Sequence, residues 1–135
     1  MVRLDEYAAR RIWKEERKQS FLDTLLRRWY VPPIVLREKP DSTCEILDGQ
    51  QRVSVIRDFR YGKILIPQSL GNVLIFQSLV GRKFTDLPEE IQEYMRIRLT
   101  LNADVIKGIS EEYAVRLFFD LHPGLLLGNA TCVQI

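Results

Sequence analysis

A chain of 135 residues and 15.9 kDa has room for one domain with a real core, and 46% hydrophobic with 10% aromatic residues is ordinary for a folded protein. A net charge of +2 and a pI near 8.6 are too mild to demand a nucleic-acid partner. No apolar run approaches the roughly 20 residues that span a bilayer, and the basic start leads into no signal-like segment, so a cytoplasmic location without a membrane partner is the default.

Taken in chain order, Lys14 to Trp29 reads as a helix, with Phe21, Leu22, Leu25, Leu26 and Trp29 as its apolar stripe. Arg27 and Arg28 suit the negative end of its dipole, and Pro32-Pro33 stops it. Ile34 to Leu36 resembles a short strand, Glu38 to Thr43 a polar turn, and Cys44 to Leu47 the returning strand of a hairpin that delivers Asp48 to its tip. A second helix follows, with Val55 and Phe59 on one face, and closes at Tyr61-Gly62. Ile64 to Ile66 and Val73 to Phe76 read as further short strands. Asp86 is placed to cap a helix from Leu87 to about Met95, with Pro88 in its first turn and Glu89 at the reciprocal capping position. Ile97, Leu99 and Leu101 alternate with Arg96, Arg98 and Thr100 as a half-buried strand would. Ser110 opens a last helix with the stripe Tyr113, Ala114, Leu117, Phe118 and Leu121, and Pro123-Gly124 ends it. There are no repeats or linkers. The expectation is a single α+β domain over residues 1–135, a small mixed sheet with flanking helices.

The chemistry concentrates at Asp48-Gly49-Gln50-Gln51-Arg52. A strand that turns at a glycine straight into a helix leaves backbone N–H groups without intrahelical acceptors, and the helix dipole adds positive potential there. That combination receives anions. Arg52 adds a forked cation suited to phosphate or carboxylate, and Gln50 and Gln51 add uncharged hydrogen-bonding groups, one of which can orient an attacking water. The bland alternative is a tight turn capped by Asp48, with Arg52 solvated or paired to Asp48 or Asp58.

Elsewhere the candidates are thinner. Residues 1–37 carry nine Arg and Lys against five Asp and Glu, which suits a solvated helix face and, second to that, a nucleic-acid surface made by Arg11, Trp13, Lys14 and Arg17. Trp13 reads first as a core or hinge aromatic and only then as a stacking or cation–π surface. Cys44 and Cys132 have no metal-ligand spacing, and Cys44 reads as a buried thiol. His122 is the only histidine, so a His-rich metal site is excluded, and no metal site is assigned. Asp120 and His122 read as a polar helix terminus.

Trp13, then Phe21-Leu22-Asp23-Thr24-Leu25-Leu26, Val31-Pro32-Pro33-Ile34-Val35-Leu36, Ile46-Leu47-Asp48-Gly49-Gln50-Gln51-Arg52 and Phe59 follow in an order that resembles a known family. It is the family of domains typified by the N-terminal half of the GmrSD modification-dependent restriction enzyme. Phe84-Thr85-Asp86-Leu87-Pro88 and Leu121-His122-Pro123-Gly124 with Leu127 are similar to two later segments of its pattern. The resemblance implies a ParB/sulfiredoxin-like fold, whose members hold nucleotide phosphates with a G-x-x-R turn. It further implies nucleotide binding and hydrolysis, and a separate nuclease domain or subunit that cuts DNA.

By that likeness Gly49, Gln50 and Arg52, with Arg10 or Arg11 ahead of Trp13, hold a nucleoside triphosphate with Mg2+, and Asp48 and Gln51 carry any hydrolysis. Asp48 would orient Arg52 or hold the divalent ion. The chain departs from the pattern in several places. Ala8-Ala9 stands at the commonest register of a glutamine-arginine pair, Asp120 replaces an arginine and His122 an asparagine, and no acidic residue follows Leu127. The pattern's first strand is also missing, so the domain is expected to be cut short at its ends. Sulfiredoxin chemistry is disfavoured because Gln50 and Gln51 stand where that family carries its cysteine. The leading expectation is a nucleotide-binding, NTP-hydrolysing regulatory domain of a restriction or phage-defence system. The alternative is a non-catalytic DNA-binding or protein-interaction module using the basic first third.

Overall fold

The computed structural model describes residues 12–122. Their contacts group into two compact units: residue 12 with 33–50 and 102–122, and 13–32 with 51–101. The secondary structure is that of a small α+β protein with a mixed sheet, as the sequence patterns predict.

The first unit is built on a three-stranded sheet of order β2-β1-β3, formed by β1 (Ile34–Glu38), β2 (Cys44–Asp48) and β3 (Ala103–Ile106). β1 and β2 make the expected antiparallel hairpin, and β3 lies parallel to β1 from Ile34↔Ala103 to Arg37↔Ile106. The hairpin loop closes where Lys39 N–H bonds to Thr43 O and the Asp41 carboxylate accepts from the Thr43 N–H and hydroxyl. Arg37, buried on the central strand, bonds its register partner Glu45 at 3.0 Å and the Ile109 carbonyl at 3.3 Å. Cys44, expected to be buried, is exposed, because it opens β2 at the hairpin end of the sheet. A helix (Glu111–Leu121) packs against β2, and Ser110 caps it by accepting from Tyr113 N–H, as predicted. Ala114 and Phe118 form its buried side, whereas Tyr113 and Leu121 stay substantially exposed.

The second unit carries a larger apolar core. In chain order the helices are α1 (Glu15–Leu26), α2 (Gln50–Arg60), α3 (Glu89–Arg98) and α4, the Glu111–Leu121 helix already described. Leu22, Leu25 and Leu26 of α1, Val55 and Phe59 of α2 and Met95 of α3 all enter the core. α1 stops before the prolines expected to end it. Arg28 turns left-handed at φ 62°, and the Trp29 and Arg28 N–H groups bond back to Thr24 O and Leu25 O. Two orphan carbonyls are satisfied that way, and Trp29 is thrown out of the predicted stripe to 62% exposure. α2 ends by the same device with Gly62 at φ 81°, as its glycine predicts.

Three sequence expectations fail here for local reasons. Ile64 to Ile66 and Val73 to Phe76 are not strands. Leu70, Val73, Phe76 and Leu79 recur every three residues, and the N–H of each of the last three bonds to the carbonyl three back, the period of tight 3-10 turns with one face in the core. The third helix begins at Glu89 rather than Leu87, because the residue before Pro88 is driven into extended backbone, and Asp86 sits in a separate 3-10 turn without capping it. Residues 97–101 are not a strand. Ile91, Met95 and Leu99 are a helical i,i+4 stripe, and the Leu99 N–H is spent on the Met95 and Arg96 carbonyls.

Candidate functional site

The strand-to-helix turn forms as its sequence predicts. β2 ends at Asp48, Gly49 is buried at φ 112°, a region that side-chain-bearing residues avoid, and α2 begins at Gln50. A bulge precedes it, since Val35 and Leu36 of β1 face Asp48 and Ile46, which leaves Leu47 as the extra residue. Leu47 is fully buried and re-aims the strand end. The Gln50 side chain anchors the turn backwards, its Nε2 donating to the Ile46 carbonyl at 2.7 Å.

α2 differs electrostatically from the other described helices. α1, α3 and α4 each begin with two glutamates, which neutralise the positive end of the dipole. α2 has no acidic residue in its first turn and carries Arg52 there.

Asp48 has a partner that the sequence did not suggest. Its Oδ1 lies 3.3 Å from Nε2 of His122, which is buried at the end of α4. The other ring nitrogen, Nδ1, is 2.9 Å from the Phe118 carbonyl, and the ring lies 4.4 Å from the Phe118 ring. The pairing joins residues 74 positions apart, and the only sequence signal was a lone histidine at a helix end.

In the second unit, Gln51 and Arg52 are both half-buried. Gln51 Oε1 accepts from the Trp13 backbone N–H at 3.0 Å. Trp13 itself packs edge-on against Phe21 beside the core, with the Arg17 guanidinium 4.6 Å from its ring centre. Its bland reading as a packing aromatic thus describes its surroundings, while Lys14 and Arg17 are exposed. Arg10 and Arg11, Pro123-Gly124 and Cys132 lie outside the described residues.

An open groove of about 1210 Å³ runs along α1 in the same unit, between that helix and residues 63–72. Near its C-terminal end Arg27 Nε bonds Asp23 Oδ1 at 2.7 Å, and Arg27 Nη2 reaches Asn72 Oδ1 at 2.9 Å and Ser69 O at 3.1 Å. Ser69 Oγ donates to Asp23 in turn. Burial raises the Asp23 carboxyl, but the hydrogen bonds from Arg27 and Ser69 and the charge of Arg27 outweigh it and hold the group below its usual range. Among the described residues no cluster of three His, Cys, Asp or Glu side chains is placed to hold a metal ion, and no helix is long and apolar enough to cross a membrane.

Strand, glycine turn and helix on a small mixed sheet define the class, a small α+β domain. The sequence profile of the family described as GmrSD restriction endonuclease, N-terminal domain, matches residues 10–122, and the chain belongs to that family. Comparisons with curated proteins and with solved structures gave no match. Family membership agrees with the resemblance carried by the DGQQR stretch and sets a restriction-system context.

Proposed function

We propose that this chain is a nucleotide-binding domain of a restriction or phage-defence system, holding the phosphates of a nucleoside triphosphate, with Mg2+, at the turn from Gly49 to Arg52. The observation that carries the reading is the single-residue turn itself. Gly49 at φ 112° passes the chain from β2 directly into a helix whose first turn contains no acid. Backbone N–H groups at such a helix start and the forked guanidinium of Arg52 are the donors that a phosphate takes, so the residues present fit the group. Gln50, tied to Ile46 O, fixes the shape of the turn rather than contacting phosphate first. Gln51 has its carbonyl held by Trp13 N–H and keeps its amide N–H groups for a phosphate oxygen. Asp48, held by His122, acts by orienting the turn and a water. Bound Mg2+ would supply charge neutralisation at the phosphates. A nuclease domain or subunit working on DNA would be the partner.

Calorimetric titration with ATP, GTP, CTP and UTP, with and without magnesium, tests this. At least one should bind, and Arg52→Ala should weaken it roughly tenfold to a hundredfold, the loss of one charge-assisted contact of about 1.5–3 kcal/mol. Undiminished affinity in the variant would reject the assignment, as would no binding of any of the four.

A further inference from the structure

The cap of α1 carries a feature that the nucleotide turn leaves unused. Trp29 is 62% exposed and the adjoining Tyr30 81% exposed, on a chain that buries its other tryptophan halfway. Trp29 is nonetheless fixed. Its backbone N–H is bonded to Thr24 O by the left-handed turn at Arg28, and one ring face is braced by the Arg27 guanidinium 4.9 Å from its centre. Arg27 is no roaming cation, because Asp23, Ser69 O and Asn72 take its donors. The backbone turn and the anchored Arg27 guanidinium thus hold the indole at the surface, where an exposed aromatic with little freedom to lose lowers the entropy cost of binding a flat partner.

The charge around it decides the kind of partner. Arg28 is exposed beside Trp29, and the exposed Lys63 lines the same groove with Gln68 and Asn72. The second unit carries thirteen Lys and Arg against eight Asp and Glu, a net +5, whereas the described residues of the first carry four against eight, a net −4. Asp23 is neutralised by Arg27, and Glu15 and Glu16 line the groove at the opposite end of α1, about 16–18 Å along the helix. An aromatic platform in basic surroundings matches a negatively charged chain bearing flat rings.

We infer that Trp29, braced by Arg27 and flanked by Arg28, Tyr30 and Lys63, is a stacking platform for an unpaired base of single-stranded nucleic acid. A duplex keeps its internal base faces stacked on one another and offers the ring only its ends, whereas every base of a single strand has a face to stack. Trp29 lies in the second unit, and its role does not depend on what the Gly49–Arg52 turn binds.

The test is fluorescence anisotropy of a short labelled oligothymidylate and of a duplex of equal length. Both are titrated with the parent chain, Trp29→Ala and Trp29→Phe, with circular dichroism to verify folding. The parent should prefer the single strand and show quenched tryptophan emission on binding. Trp29→Ala should weaken binding roughly tenfold to a hundredfold and Trp29→Phe only a few-fold. Equal binding by Trp29→Ala, a preference for duplex, or no binding by the parent would overturn the inference. So would a parent that self-associates through Trp29 in sedimentation without binding the oligonucleotide, since the platform would then be a protein interface.

Discussion

Asp48 and His122 hold each other where the phosphate-binding reading needs a rigid turn. The contact is 3.3 Å, and the histidine is buried while the carboxylate is about one third exposed, so solvent screens the charge and much of the value lies in the packed ring and its bond to Phe118 O. His122→Ala should therefore cost about 1–3 kcal/mol in urea denaturation, through the cavity, the lost bond to Phe118 O and the lost contact with Asp48 together. If the pair also orients Asp48 for a nucleotide, affinity should fall in the same variant beyond what its residual unfolding explains. A variant as stable as the parent would show that the pair carries no weight. Gln50 and Gln51 give a related lesson. Their types were legible as hydrogen-bonding groups, but each already serves a protein partner, Ile46 O and Trp13 N–H, which a list of residue types does not reveal.

Among the elements, the helix ends are where local sequence had most to say. Gly62 was readable as the close of α2 because only glycine takes φ 81° without strain. A Cβ there would also lie 2.9 Å from Thr85 Oγ1. Gly62→Ala is expected to lose about 1–2 kcal/mol of stability by urea denaturation. An unchanged midpoint would mean that α2 can close another way. Arg28 performs the same task at the end of α1 without glycine, so the end was misplaced at the prolines. Val73 to Phe76 resembles a strand in sequence for a different reason. Apolar residues every three positions suit 3-10 turns, but over so short a run they resemble broken strands, and only the carbonyls that accept each N–H distinguish the two.

At the scale of the molecule, the two units have different characters. The basic second unit contains the continuous apolar core, with Phe59 fully buried and its ring 5.5 Å from that of Phe84. Phe59→Ala should cost about 3–5 kcal/mol and speed amide hydrogen exchange in α1, α2 and α3, a large share of the stability of a domain this small. Slow exchange in those helices despite the substitution would show that the core collapses around the gap. The sequence by itself determined the four described helices in outline, the β1–β2 hairpin, the glycine turn into α2 and the family, because each rests on periodicity, a turn residue or a run of consecutive residues. Tertiary structure alone decided that β3 lies at Ala103–Ile106, that Asp48 meets His122, that Trp13 packs inward and that Trp29 stands outside. Those outcomes depend on which distant groups take up a backbone donor, a charge or a ring face, and no local pattern encodes that choice.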